Sequence, residues 1–360
     1  MRYQSLCIVA ATLSSTSVVA AQKNTRFQNF FPVYRDALIA IRNDHCAALW
    51  AKQQIEPYTT VDGNCPALLS CILNNTEEAT KGNFSSGLVA LGIMPTLLTF
   101  LGSMVSETAL LSKRRPLLAL LIACGSPAVN PLPTFAYDNP LERLKAREGR
   151  LLPPRLLVLS PWQARGIVFV EYVLVLSAIA NVMSASYYAG LWTINTISCD
   201  DTWYPIVWAG LTVVLHILGM IALDQRVRVT QTAGSTGGFR SGVLQWFRNE
   251  FTPCITQNKI ELHWSGETYL FVFISWCSSI STVAHIFFGT IAFSSIIFIG
   301  YVDSIKIIFR FMASAVLCRA VLMFELAGMR NALVERCYEP IRHPRGTLTE
   351  RGNVNIMAEL

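Results

Sequence analysis

Apolar residues in this chain fall in blocks separated by polar or basic segments. Ser85–Val105, Gly166–Gly190, Pro205–Leu223, Trp276–Gly300 and Ile305–Met329 each reach the length a helix needs to cross a bilayer's hydrocarbon core, about 20 residues. The fourth block belongs to a longer stretch nearly free of charge, Thr268–Val302, which exceeds one helix and falls short of two spans with a turn. The span is placed in its later part, with Trp264 and Tyr269 ahead of it in the headgroup zone. A sixth stretch, Pro116–Leu132, is apolar but short, and Gly125, Pro127 and Pro131 interrupt it.

The basic residues bear on what that sixth stretch does. Lys113, Arg114 and Arg115 precede it, and Arg143, Lys145, Arg147, Arg150, Arg155 and Arg165 follow. Short loops rich in Lys and Arg stay in the cytosol, so both flanks are expected on that side, where a single crossing would separate them. The stretch is therefore read as re-entrant or interfacial, with a sixth span as the alternative. The loop 191–204 has no Lys or Arg, as an outside loop should. The loop 224–266 carries Arg226, Arg228, Arg240, Arg248 and Lys259 and is placed inside, as is the tail with Arg330, Arg336, Arg342, Arg345 and Arg351. The glycine-rich run from Ala233 to Gly242 lacks the Gly-Lys-Ser/Thr ending of a phosphate-binding loop and reads as a linker.

The expected fold is all-α: a polytopic transmembrane helical bundle over residues 85–332, with about five spans plus one re-entrant or short span. The amino terminus is expected outside and the carboxyl terminus, with the tail 333–360, in the cytosol. Arg2, the apolar run Leu6–Ala21 and the small residues Val18, Ala20 and Ala21 predict a secretory signal peptide over 1–21, with a retained anchor as the alternative. Residues 22–84 then form a small lumenal or extracellular segment. Two glycosylation acceptors, Asn74 and Asn83, lie in it. Cys46, Cys65, Cys71 and Cys199 all fall outside, an even number in an oxidising compartment, so two disulfides are expected, one of them tying the amino-terminal segment to the outer loop. Cys124, Cys277 and Cys318 sit in apolar blocks as small hydrophobes, while Cys254 and Cys337 fall inside and stay reduced.

Composition agrees with a membrane protein of the secretory pathway, in the endoplasmic reticulum or plasma membrane: 52% hydrophobic, 14% charged, mean hydropathy +0.41. The net charge of +6 does not point to nucleic acid, because the Lys and Arg residues lie in loops between apolar blocks. Membrane lipid is the expected partner.

Polar groups near the middle of the spans cost most and so most need a reason. Asn181, His216, His285 and Arg319 are each within three residues of a block centre, which predicts a common polar layer. Hydrogen bonding across helices is the plain reading for Asn181 and the histidines. Arg319 needs a partner or water, since insertion of a central Arg costs roughly 2.5–3.5 kcal/mol. The acids Glu107, Glu171 and Glu325 lie nearer the cytosolic ends. Asp303, Lys306 and Arg310 form an i, i+3, i+7 row at the outer end of the last span and read as solvated end-of-helix charge. At about 100° per residue, Arg310 and Glu325 share one side of that helix and Arg319 takes the opposite side.

No His-x-x-x-His or Cys-x-x-Cys spacing occurs, so neither a metal nor a cofactor is expected. Asp200-Asp201 starts like a diphosphate–magnesium motif but lacks its third carboxylate, and no Gly-x-Ser-x-Gly elbow is present.

The run from His285 through Gly300-Tyr301-Val302-Asp303, with Arg310, Ser314, Cys318-Arg319 and Phe324-Glu325-Leu326-Ala327-Gly328, resembles a family of multi-span membrane proteins from filamentous fungi. Leu91–Thr96, Glu107, Arg114-Arg115-Pro116 and Gly125-Ser126-Pro127 resemble the same group. That family has no settled activity, so the resemblance implies fold and location only.

Three functions fit. One is a membrane-embedded cyclase or isomerase of a terpenoid or other apolar small molecule in fungal secondary metabolism, with Glu171, Glu107 or Glu325 as proton donor. Another is a transporter or channel-like protein whose polar layer around Arg319 binds an anion. The last is a non-catalytic receptor or scaffold. The expectation leans to the cyclase.

Overall fold

The computed structural model describes residues 26–55, 64–131, 159–199, 201–231, 239–256, 260–264 and 266–332. The expected signal peptide, the arginines from Arg143 to Arg155 and the tail 333–360 lie outside these residues. The described chain is almost entirely helical, and five helices are long and apolar enough to cross a membrane: α4 (Glu78–Leu101), α7 (Pro161–Leu191), α8 (Tyr204–Arg226), α10 (Tyr269–Ser294) and α11 (Tyr301–Ala332). The remaining helices are α1 (Arg35–Asp44), α2 (Ala47–Ile55), α3 (Asn64–Asn74), α5 (Val105–Ser112), α6 (Pro116–Gly125) and α9 (Phe239–Glu250).

Helix starts precede the apolar blocks because caps, not hydrophobicity, set them. Ser160 accepts from the Gln163 N–H while Gln163 accepts from the Ser160 N–H, and Pro161 fills the first turn. Thr268 caps α10 through the Phe271 N–H. The fourth span therefore runs Tyr269–Ser294 and not Trp276–Gly300. Beyond Ser294 the chain turns, and Ile296–Ile297 (β4) pairs antiparallel with Ile194–Asn195 (β1). Tyr269 is the first residue of the helix itself. A second antiparallel pair, Val227–Gln231 (β2) with Ile260–Trp264 (β3), follows α8.

Each long helix buries one stripe and leaves another uncovered. Phe169, Val173 and Leu176 on α7, Phe273, Ile280 and Phe287 on α10, and Val89, Ile93 and Phe100 on α4 are all exposed. An uncovered apolar band on every long helix is untenable in water and ordinary against lipid tails, so the chain is an integral membrane protein in lipid contact. The inward stripes meet in two apolar clusters, one around Leu118, Ile122, Val175 and Leu322, the other around Met94, Val182, Trp208 and Phe311.

One end of the bundle carries a lid built from α1–α3. The disulfide Cys46–Cys71 closes the lid on itself, and Cys65–Cys199 ties it to the α7–α8 loop, which is the pairing class the cysteine positions predicted. Arg26 is fully buried and donates to the backbone carbonyls of Gly190, Thr193, Cys199 and Asp201 at 2.9–3.2 Å. The rings of Phe27, Phe30 and Phe84 stand edge-on to Phe298 at 5.6–6.4 Å. Phe27 and Phe298 take φ of 60° and 67°, a left-handed conformation costing on the order of 1–3 kcal/mol that only close packing maintains. At the other end α9 presents Leu244, Trp246 and Phe247 outward beside Arg248, the pattern of a helix lying in the interface.

Candidate functional site: two half-helices meeting at mid-depth

The first span is broken. A Cβ on Gly92 would lie 3.0 Å from Ser294, so Gly92 of α4 is level with the lid-side end of α10. Leu101, where α4 stops, is nine residues further, about 13 Å deeper at 1.5 Å per residue. The sequence reading carried this span to Val105; the structure ends the helix at Leu101, because Gly102 lies so close to the Ala128 carbonyl that a Cβ there would be 2.4 Å from it. After the break, α5 continues away from the lid alongside α8: Val105 lies against Gly219, Thr108 against His216, and Lys113 pairs with Asp224.

At Lys113–Arg115 the chain reverses and α6 climbs back. It ends where Gly125 packs on Cys318, Ala178 and Ile179, midway along α11 and α7. The extended segment after it lies beside the break in the first span: Ser103 bridges Val129, and the Asn130 N–H donates to the Ser103 carbonyl at 3.2 Å. α5 thus completes the first crossing, and α6 re-enters from the far end and stops within the bundle, as the re-entrant reading of Pro116–Leu132 anticipated. Non-helical backbone at this depth is tolerated only where protein or a polar cavity surrounds it.

Polar side chains collect at this break. Glu107, three residues into α5, accepts from the Met104 N–H at 3.4 Å and from both terminal nitrogens of Arg319. Side-chain exposures of 15% and 24% leave this pair only partly shielded. Thr108 and His216 Nδ1 are 2.7 Å apart. Whichever of them donates, His216 Nε2 remains buried without a partner, and so does the Ser103 hydroxyl. His285 donates through Nε2 to the Trp208 carbonyl at 2.8 Å and stacks on the indole at 5.3 Å.

The polar layer expected from Asn181, His216, His285 and Arg319 is divided. Arg319 and His216 flank the break, and His285 lies on the neighbouring helix. Asn181 belongs elsewhere: it accepts from Arg310 Nε and donates to Ser314, both at 2.8 Å, between α7 and α11. The row Asp303–Lys306–Arg310 is split likewise. Asp303 is buried, accepting from the Val33 N–H of the lid, and Arg310 reaches α7, which replaces the solvated-charge reading.

The other two candidate acids meet at the far end, around a residue whose role sequence reasoning missed. Arg115 is fully buried, with Glu171 at 2.6 Å and Glu325 at 3.0 Å, and its Nε donates to the Glu250 carbonyl at 2.9 Å. Glu250 caps α6 by accepting from the Leu117 and Leu118 N–H groups, and it also accepts from the Tyr172 hydroxyl. Glu325 accepts from the Cys254 N–H at 3.2 Å. Burial and the nearby Glu325 carboxylate push the Cys254 thiol well above its usual range, so it stays protonated. Lys113-Arg114-Arg115-Pro116 carries the signal of a topogenic loop, and nothing local marks its third member as buried.

Of the glycosylation acceptors, Asn74 is exposed at the end of α3, whereas Asn83 lies within α4 and accepts from the Tyr301 N–H at 2.8 Å.

Fold and site together define a polytopic helical membrane protein with two half-helices meeting at mid-depth beside a Glu–Arg pair. No family model, curated protein or solved structure matches the chain. The geometry alone carries the functional argument.

Proposed function

We propose that the protein is a membrane carrier for a small anionic solute, with its binding site at the break between α4 and α5. The observation that supports this reading is that the break between α4 and α5 faces the end of the re-entering α6 at mid-depth, with Glu107 of α5 paired there to Arg319 of α11. Discontinuous helices at mid-bilayer are how many carriers expose helix ends and backbone groups to a solute.

The charges give the mechanism. The α5 amino terminus carries a partial positive charge from its unpaired N–H groups, and Arg319 adds a full one. Glu107 neutralises both. A solute anion takes Arg319 by displacing Glu107, and a proton on Glu107 achieves the same release, so anion and proton travel together. The unpartnered Ser103 hydroxyl and His216 Nε2 supply further contacts. Each end is closed by a separable contact: the Phe298 aromatic cluster under the lid, and the Arg115–Glu171–Glu325 cluster opposite.

The cyclase reading has less support. A proton donor to an alkene must be a neutral acid facing an apolar cavity, whereas Glu107, Glu171 and Glu325 each face a guanidinium.

The test is transport by the purified protein in liposomes holding a pH-sensitive dye. Inward gradients of sodium chloride, phosphate and succinate are applied at equal pH. At least one salt should acidify the lumen above protein-free liposomes, and Arg319→Gln should remove the effect. Glu107→Gln should keep movement of the labelled anion while losing the acidification. If none of the three salts exceeds the protein-free rate, the carrier reading fails.

A further inference from the structure

Among the described residues, Arg310 is a cation at membrane depth without a counter-ion. Its Nε donates to the Asn181 side-chain oxygen at 2.8 Å, and one terminal nitrogen donates to the Asn181 carbonyl at 3.2 Å and to the Ser184 hydroxyl. All three acceptors are neutral. The nearest acid on its own helix, Asp303, is taken by Lys306 at 2.9 Å and by the Val33 N–H of the lid. Three neutral dipoles orient a guanidinium and do not cancel its charge, and an uncompensated arginine in hydrocarbon costs several kcal/mol on the order of the insertion scales.

The surroundings say what reaches it. Arg310 is only half-buried, in the groove between α7 and α11, and the lipid-facing sides of the two helices next to it are apolar: Val173, Ala180, Phe309 and Val316 are all exposed. The exposed aromatics Tyr187 and Tyr188 at the end of α7, Trp203 before α8 and Tyr301 at the start of α11 all lie at the lid end and mark the headgroup level. Ser184, which holds the guanidinium, is three to four residues from Tyr187 and Tyr188, about 5 Å below them at 1.5 Å per residue. Arg310 precedes the middle of α11, so its side chain leans back toward the lid end, as helical side chains do. The Lys306 ammonium, 62% exposed, sits one turn nearer that end.

We infer that this groove binds the phosphate of an anionic phospholipid from the leaflet at the lid end. The phosphate takes the outward face of the Arg310 guanidinium with the Ser184 hydroxyl below and Lys306 above, while the acyl chains run down the exposed apolar flanks of α7 and α11. Arginine suits this role because its planar fork leaves donors free after Asn181 and Ser184 have fixed its orientation. The site is separate from the Glu107–Arg319 pair and does not rest on the carrier reading.

The test is native mass spectrometry and thermal stability of the detergent-purified protein titrated with phosphatidylglycerol, phosphatidylcholine or inorganic phosphate. The wild type should retain one phosphatidylglycerol under activation that strips phosphatidylcholine, and gain stability from the former at lower lipid concentration. Arg310→Gln should weaken that affinity at least fivefold, Arg310→Lys less. If Arg310→Gln does not give a folded protein, Ser184→Ala carries the test, with an affinity loss of twofold or more. Equal retention of both lipids overturns the proposal, as do an unchanged affinity in the variants and full reproduction of the effect by inorganic phosphate. A co-purifying protein lost in Arg310→Gln with the lipid response intact would assign Arg310 to a partner's carboxylate instead.

Discussion

Arg115 illustrates how a single residue is decided by its neighbours. Its guanidinium is fully inside the protein, shared by Glu171 and Glu325 and bonded to the Glu250 carbonyl. Removing it leaves carboxylates in a buried site with no cation, which costs about 3–5 kcal/mol. Arg115→Met should therefore lower the thermal midpoint steeply, and adding Glu171→Gln and Glu325→Gln to it should recover most of the loss. A single Arg115→Met variant as stable as the wild type, measured by fluorescence-detected unfolding in detergent, would mean the cluster is solvated. At this scale the sequence was least informative. The depth of Glu107, Glu171 and Glu325 could be read, but their partners come from positions 56–212 residues away, and no periodicity reports such pairs. Arg115 also satisfied the positive-inside pattern, which explained it too easily.

Among the elements, the break between α4 and α5 depends on close backbone approach. Gly102 tolerates no side chain, since its Cβ would meet the Ala128 carbonyl at 2.4 Å, whereas Gly210 on α8 has nothing within 4 Å. Gly102→Val should destabilise by about 1–3 kcal/mol through overpacking. Gly210→Ala should be neutral or stabilising by up to about 1 kcal/mol, because it only removes unfolded-state freedom inside a helix. Thermal midpoints in one detergent compare the two, and equal effects would contradict the proximity of the two segments. The span count and the re-entrant stretch were legible because hydrophobic runs and glycine–proline interruptions are local. The break at Gly102 was not, because the apolar block runs on past it to Val105. The shift of α10 to Tyr269–Ser294 was hidden for a related reason: Ile296–Phe298 are apolar yet serve in a strand pair and a ring cluster.

For the whole molecule, apolar helices, basic loops and cysteines described one bundle before any coordinates. The even number of cysteines expected outside predicted two disulfides; Cys46–Cys71 closes the lid on itself and Cys65–Cys199 fastens it to the bundle. What joins fold to function is the meeting of a broken span with a re-entrant segment: the first span breaks between α4 and α5 at Ser103 and Glu107, and α6 brings Ser126 back from the far end to the same depth without adding a crossing. The most direct test labels Lys113→Cys, Arg165→Cys and Ser198→Cys singly with a membrane-impermeant maleimide in sealed vesicles, with the unpaired native cysteines replaced. Lys113→Cys and Arg165→Cys should react from the same side and Ser198→Cys from the opposite one. Reaction of Lys113→Cys and Arg165→Cys from opposite sides would make Pro116–Leu132 a full crossing and remove the meeting of half-helices on which the carrier reading stands.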